Sequence, residues 1–400
     1  MIRGSSRWFF ASMLTTTLSA ILIFHFSCAS DAQRAYSQGL VQAEPRVRVL
    51  LSRHTGLRTG AIDLSSSYEV RGLDGKQLGR GTAAKAIPLA AASGGRAVKV
   101  GEQTFAASAV EIVPGRDAAI ALGGTGYRGS IIVRAKGDTI DLINSVMMES
   151  YLGGVVGSEM PLSWSEAALG AQVIAARTYA LNEVAGSRRD GFDVHDTDAS
   201  QVYHGMKNEN EKARRVVEAT RGQYLVFEGK VLKAFFSSTC GGHTASAASV
   251  FGGSEIRPLA GSECGACSAS KWHRWTVDFP VATIATKLAQ AGYPVKGDIR
   301  QIEVVNPGPG GHGTEVKVVS TEESKRVPAG KFRGALGYSE LRSTAFTATR
   351  EDDSFRFEGR GWGHGVGLCQ YGAEGLAKRG KTTREIVETY YPGAELQQYR

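Results

Sequence analysis

A change of hydrophobic period at residue 145 constrains this chain more than any other feature. Upstream, from Arg46 to Ile143, short apolar runs alternate with polar residues, as in Val47, Val49 and Leu51, Tyr68 to Val70, Ile131 to Val133 and Thr139 to Ile143. That two-residue repeat belongs to strands. From Ser145 onward, Val146, Met147, Tyr151, Leu152, Val155 and Val156 recur at near-helical spacing. The expectation is an α+β chain, with a strand-rich N-terminal part over 46–143 and a mixed α/β core that starts at 144 and runs to 274. Ser163-Trp164-Ser165-Glu166 reads as a capping box opening the alanine-rich helix Ala167 to Ala185. A further helix is expected from about Asn208 to Arg221, then strands Tyr224 to Phe227 and Val231 to Phe236. Between 275 and 357 the pattern restarts with helix-like Val281 to Ala291, alternating Ile302 to Val305 and Val316 to Val319, and a Gly/Pro cluster at Pro307 to Gly313. This reads as a smaller inserted subdomain, after which 358–400 completes the core.

Composition narrows the class. With 42% hydrophobic and 22% charged residues in 400, the chain is not disordered throughout and has ample material for a core. Its 50 glycines follow no Gly-X-Y period and point to turns and close approaches. Forty-seven basic residues against 39 acidic ones, with no long Lys/Arg run, argue against nucleic acid as the partner. Arg3 and Arg7 followed by apolar Trp8 to Phe26 read as an export signal over 1–30, with a polar linker over 31–45. Cleavage near Asp31, a lipid on Cys28 and a retained anchor stay open, so the expected site is the periplasm or cell wall. Membrane contact is expected only through that signal or lipid.

Several residues could carry chemistry. Glu159 sits between Gly157-Ser158 and Met160-Pro161, in what reads as a turn leading into the alanine-rich helix, among apolar Met160, Leu162 and Trp164. A carboxyl in such company has its pKa raised, which suits a general acid. Gln172 and Arg177 interrupt the apolar helix, and Arg177 could hold a sugar hydroxyl or a carboxylate in a groove. The stretch Phe192 to Gly205 gathers His195, Asp196, Asp198, Gln201, Tyr203 and His204, a mixture suited to carbohydrate, with a metal site as a lesser alternative. Cys240-x-x-His243 and Cys264-x-x-Cys267 match a tetrahedral zinc set of three thiolates and one imidazole. Export favours a competing reading, disulfides Cys240–Cys264 and Cys267–Cys369. The block Gly359 to Tyr391 places His364, Gln370 and Tyr371 among glycines that let a ligand approach the backbone.

Four stretches together resemble the stage II sporulation protein D family, also called SpoIID/LytB. They are N-x-V-x-x-E-x-Y-L-x-G-V-V-x-x-E-M-P at Asn144 to Pro161 with A-x-Q-x-x-A-A-R-T-Y-A at Ala171 to Ala180, D-x-x-x-x-Q-V-Y-x-G at Asp196 to Gly205, F-x-S-S-x-x-G-G-x-T at Phe235 to Thr244, and G-R-G-W-G-H-G-V-G-L-x-Q-Y-G-A at Gly359 to Ala373. The resemblance implies an exported peptidoglycan lytic transglycosylase, with Glu159 catalytic and Arg177 needed for activity. Gln172, Tyr179, Gln201, Tyr203, Ser238, His364, Gln370 and Tyr371 are the candidates to position the glycan. Some members bind zinc near the active site, although the set Cys240, His243, Cys264 and Cys267 rests on spacing. The role of Cys369 stays open.

The implied chemistry needs one carboxyl. A glycosidase that uses water needs two carboxylates. A lytic transglycosylase instead lets the muramyl C6 hydroxyl attack C1, so one glutamic acid can serve as acid and then base. No cofactor is required for that step, and zinc would be structural. The expected partners are peptidoglycan glycan strands, intact, denuded of stem peptides or deacetylated, and cell-wall amidases. Two alternatives remain: a non-catalytic wall-binding module or amidase enhancer, and a zinc hydrolase, which a full set of three cysteines and one histidine would leave without an open metal position.

Overall fold

The computed structural model describes residues 41–186 and 191–399. The expected export signal, with Arg3, Arg7 and Cys28, lies outside the described residues. The fold is α+β. No helix among the described residues is long and apolar enough to cross a membrane.

The N-terminal part forms two sheets. In the seven-stranded one, Thr139–Met147 lies between Arg46–Leu50 and Ser130–Lys136, antiparallel to both. The second, six-stranded sheet is built on Thr59–Leu64 and Ala84–Ala92. Val146 and Met147 belong to the strand, not to the helix that their spacing suggests. The strand is buried from Ile140 to Val146 on both faces, so its sequence loses the two-residue alternation.

Eight helices follow among the described residues: α1 (Met148–Glu159), α2 (Glu166–Gly186), α3 (Glu211–Ala219), α4 (Ala247–Phe251), α5 (Val281–Gln290), α6 (Ala329–Leu336), α7 (Gln370–Lys378) and α8 (Thr383–Tyr390). The expected capping box at Ser163 does not form. Helix α2 starts at Glu166, and the Ser165 N–H is taken by the Glu374 carboxylate of α7 at 2.8 Å. A capping box does form at Thr382 and Glu385, opening α8. The expected strand Val231 to Phe236 is broken into Lys230–Val231 and Phe236–Ser237.

Residues 275–359 carry a separate apolar core of Trp275, Phe279, Ile284, Ile302, Val318, Phe332 and Phe357, among others. Two three-stranded sheets and helices α5 and α6 enclose it. Its first and last strands, Trp275–Pro280 and Ser354–Gly359, pair antiparallel with each other.

Glycines in α1 let a loop lie against that helix. A Cβ on Gly154 would stand 2.4 Å from the Gly205 carbonyl oxygen and 2.7 Å from the Tyr203 ring, and one on Gly157 would stand 2.4 Å from the Asn208 oxygen. Glycine costs helix propensity, so its presence in a buried helix is accounted for by this approach. We expect Gly154→Ala to push the 201–208 loop off α1 and to destabilise the protein by about 1–3 kcal/mol, the range for overpacking. Thermal unfolding checks this, and an unchanged midpoint would show that the loop yields freely.

Candidate active site

Glu159 is the last residue of α1, not part of a turn into α2. The helix places its half-buried carboxyl between two N–H donors. The Val202 backbone N–H donates to Oε1 at 2.7 Å, and the Gln370 side-chain amide donates to Oε2 at 3.3 Å. Burial pushes the carboxyl pKa up to about 7, helped by the nearby charge of Asp198, while the two donors hold it back. The group is therefore poised near neutrality to give a proton, and its ionised form has two hydrogen bonds waiting.

The loop that supplies Val202 is anchored on both sides. Gln201 is fully buried, accepts a hydrogen bond from Tyr151 Oη at 2.9 Å and donates to the Ala176 carbonyl of α2 at 3.2 Å. Tyr203 is buried and donates to Asn144 Oδ1 at 2.8 Å. Gln201 and Tyr203, read as sugar contacts in the sequence, are thus committed to the core. What the motif presents to Glu159 is the main-chain N–H between them, which has no side-chain signature.

Arg177 is the largest correction. It does not face a groove with Glu159. Its guanidinium is fully buried and grips Glu149 by two bonds, at 2.9 and 2.6 Å, and donates to the Gln223 carbonyl at 3.0 Å. Glu149 also accepts from Tyr399 Oη at 2.6 Å and from the Gly222 N–H at 3.1 Å. Burial alone would raise the Glu149 pKa, but these partners, Arg177 first, pull it below the usual carboxylate range. Gln172 is also buried, and neither of its amide atoms has a hydrogen-bond partner among the described residues.

Other candidates lie on or against the segment that carries Gln370. Gln370 opens α7, and Tyr371 beside it packs edge-on against Trp164 with ring centres 4.8 Å apart. The Tyr371 N–H donates to the carbonyl of Ser238 at 3.1 Å, tying half-buried Ser238 to the start of α7. The parallel strand pair Phe236–Ser237 and Leu368–Cys369 leads into this corner. Phe235 there meets Tyr179 of α2 at 6.1 Å and His364 at 5.8 Å, and His364 also lies 5.4 Å from the exposed ring of Phe251. Burial pushes the His364 pKa down to about 4, so its ring is neutral at pH 7. The Val366 N–H donates to its Nδ1 at 3.0 Å, which leaves the proton on Nε2. Two open cavities, of about 590 and 980 Å³, are lined by neither Glu159 nor Gln370.

The metal expectation is altered in one ligand. Cys240, Cys264, Cys267 and Cys369 are buried free thiols whose sulfurs all lie within 4.8 Å of one another. Cys240 and Cys267 are 3.7 Å apart, far beyond a disulfide bond. His243 is not among them. Gly241 and Gly242, with φ of 74° and 113°, turn the chain there, and the His243 ring meets the Thr244 carbonyl at 2.7 Å instead. Four thiolates around zinc, with Zn–S near 2.3 Å, require sulfur separations of about 3.8 Å, so the donor set fits a tetrahedral four-thiolate site. Among the described residues no other group of metal-type side chains is this close, and His195, Asp196, Asp198 and His204 do not form one.

Residues 136–227 match the family model described as stage II sporulation protein (SpoIID), and residues 259–367 match a domain of unknown function, DUF8618. An uncharacterized protein of Brachyspira hyodysenteriae is 34% identical over 280 residues, covering 70% of this chain and 74% of that protein. The amidase enhancer of Bacillus subtilis is 28% identical over 295 residues, covering 62% of this chain and 40% of the enhancer. Stage II sporulation protein D of Bacillus amyloliquefaciens is 32% identical over 271 residues, covering 64% of this chain and 75% of that protein. By that identity and coverage, the chain belongs to the stage II sporulation protein D family.

Proposed function

We propose that this protein is an exported peptidoglycan lytic transglycosylase with Glu159 as its single acid and base. The observation that carries the reading is the Glu159 carboxyl, with its pKa raised to about 7 and its charged form met by the Val202 and Gln370 donors. Protonated Glu159 gives its proton to the glycosidic oxygen between N-acetylmuramic acid and N-acetylglucosamine as the C1–O bond breaks. The carboxylate, held by the two donors, then takes the proton of the muramyl C6 hydroxyl while O6 bonds to C1. The products are a glycan ending in a 1,6-anhydro ring and a strand with a free 4-hydroxyl, and no water is consumed. Trp164, Tyr371, Phe235, Phe251 and neutral His364 offer apolar faces for sugar rings.

Cys240, Cys264, Cys267 and Cys369 would hold a structural zinc ion, which when bound supplies a cross-link among chain segments. A second reading, a non-catalytic wall-binding protein that enhances an amidase, is favoured by the relative named amidase enhancer. Mass spectrometry of soluble products from purified sacculi, with and without amidase pretreatment, separates the two. The expected products carry 1,6-anhydromuramyl ends. Reducing ends would identify a hydrolase, and no release from intact, denuded or deacetylated glycan would support the binding role.

A further inference from the structure

Cys369 belongs to two structures at once. It is one of the four clustered thiols, and it is the N-cap of α7, where its sulfur accepts the Gly372 N–H at 3.3 Å. The next residue is Gln370, whose amide reaches Glu159. A single peptide unit therefore separates the thiol cluster from the donor on the candidate acid.

The packing makes this junction stiff. A Cβ on Gly372 would stand 2.0 Å from Tyr390 Oη and 2.5 Å from Cys264 Sγ, and one on Gly375 would stand 1.9 Å from the Ala266 carbonyl. Helix α7 is thus pressed against the Cys264–Cys267 loop without intervening side chains. The Cys240 N–H also donates to Cys369 Sγ, at 3.3 Å, and Tyr390 Oη lies 3.2 Å from Cys264 Sγ. N–H donors of this kind surround metal-bound thiolates, because a charged sulfur accepts far better than a thiol. The cluster also joins segments from both sides of the inserted subdomain, since Cys264 and Cys267 precede it and Cys369 follows it.

We propose that zinc held by Cys240, Cys264, Cys267 and Cys369 is a positioning centre for Glu159: by fixing Cys369 it fixes the first turn of α7, and so the place where the Gln370 amide meets the carboxyl. The consequence for turnover rests on Glu159 being the acid, but occupancy and coupling can be read without any glycan. Gln370 is a positioning residue here, acting on the carboxyl.

Metal analysis of the full chain in reducing buffer should find about one zinc per molecule, as a closed four-thiolate site implies, in the wild type and in His243→Ala. Cys369→Ser should lose most of it. In protein labelled at glutamate carboxyls, with the Glu159 signal assigned by its absence in Glu159→Gln, chelation should raise the Glu159 pKa by about one unit. That is the scale of losing a hydrogen bond to a charged group. Gln370→Ala should retain zinc and show the same shift, insensitive to chelator. Should the stripped protein unfold, Cys369→His supplies a second test, because it keeps a ligand while altering its reach. That variant should bind zinc and still displace the Glu159 titration. Absence of zinc, or a mapped disulfide within the cluster, would overturn the proposal, as would zinc whose removal or re-ligation leaves the Glu159 titration unmoved. Failure to cut glycan would leave all these readouts intact and would count against the proposed reaction alone.

Discussion

Glu159→Gln should lower release of anhydromuramyl products by about 10²-fold or more, the scale of general acid–base catalysis, while glycan binding survives. The amide keeps the size of the carboxyl and has no proton to transfer. Stability should move the other way. The folded-state pKa is raised, to about 7, above the ordinary carboxyl value of 4.5. The wild type therefore has the full stabilising contribution of this group below about pH 4.5 and loses it as pH rises through 7. That loss is of the order of 3 kcal/mol by linkage, and a glutamine at this position does not incur it. The unfolding midpoint of Glu159→Gln should match the wild type near pH 4 and exceed it by pH 8. A variant that still releases anhydromuramyl products at the wild-type rate would move the chemistry to another residue. Midpoints that stay parallel across that range would contradict the raised pKa.

The second large effect is expected at the buried ion pair. Arg177→Ala leaves Glu149 charged and buried without its main partner, and Glu149→Ala leaves the guanidinium in the same condition. Either should cost about 3–5 kcal/mol, the range for breaking a buried pair from one side. Loss of activity in these variants should follow loss of folded protein. A double variant, Arg177→Met with Glu149→Gln, removes both charges and keeps an acceptor for the Gly222 N–H and Tyr399 Oη. It should recover more than half of the lost stability in thermal unfolding. A folded Arg177→Ala protein with a wild-type midpoint and no turnover would instead return Arg177 to the chemistry.

The Arg177 result shows where sequence reading stops. An arginine on an alanine-rich helix is visible, but nothing in the sequence tells that Glu149, on another helix, has been brought to it. The raised pKa of Glu159 was legible because its apolar neighbours sit beside it in the chain. Its Val202 donor was not, because a main-chain N–H leaves no trace in residue type. Three members of the cysteine cluster were legible too, because C-x-x-C and C-x-x-H spacings are local. The fourth, Cys369, lies beyond the whole inserted subdomain and entered only the disulfide reading, while His243 stood nearer in sequence though not in space. The same contrast holds for the fold. Alternation in the outer strands was plain, whereas Val146 and Met147 lost it because their strand is covered on both faces.

The bond from Tyr399 to Glu149 spans 250 residues, and strand Glu395–Gln398 completes a sheet begun at Gln223. Synthesis runs from the N-terminus, so Glu159 exists long before Gln370 is made, and Arg177 and Glu149 long before the tyrosine that closes over them. A nascent chain carries the acid without its second donor and the ion pair without its lid. The inserted subdomain, which has an apolar core of its own, can fold while it waits. A partial chain that ends before Gln370 therefore holds the Glu159 carboxyl with one of its two donors missing.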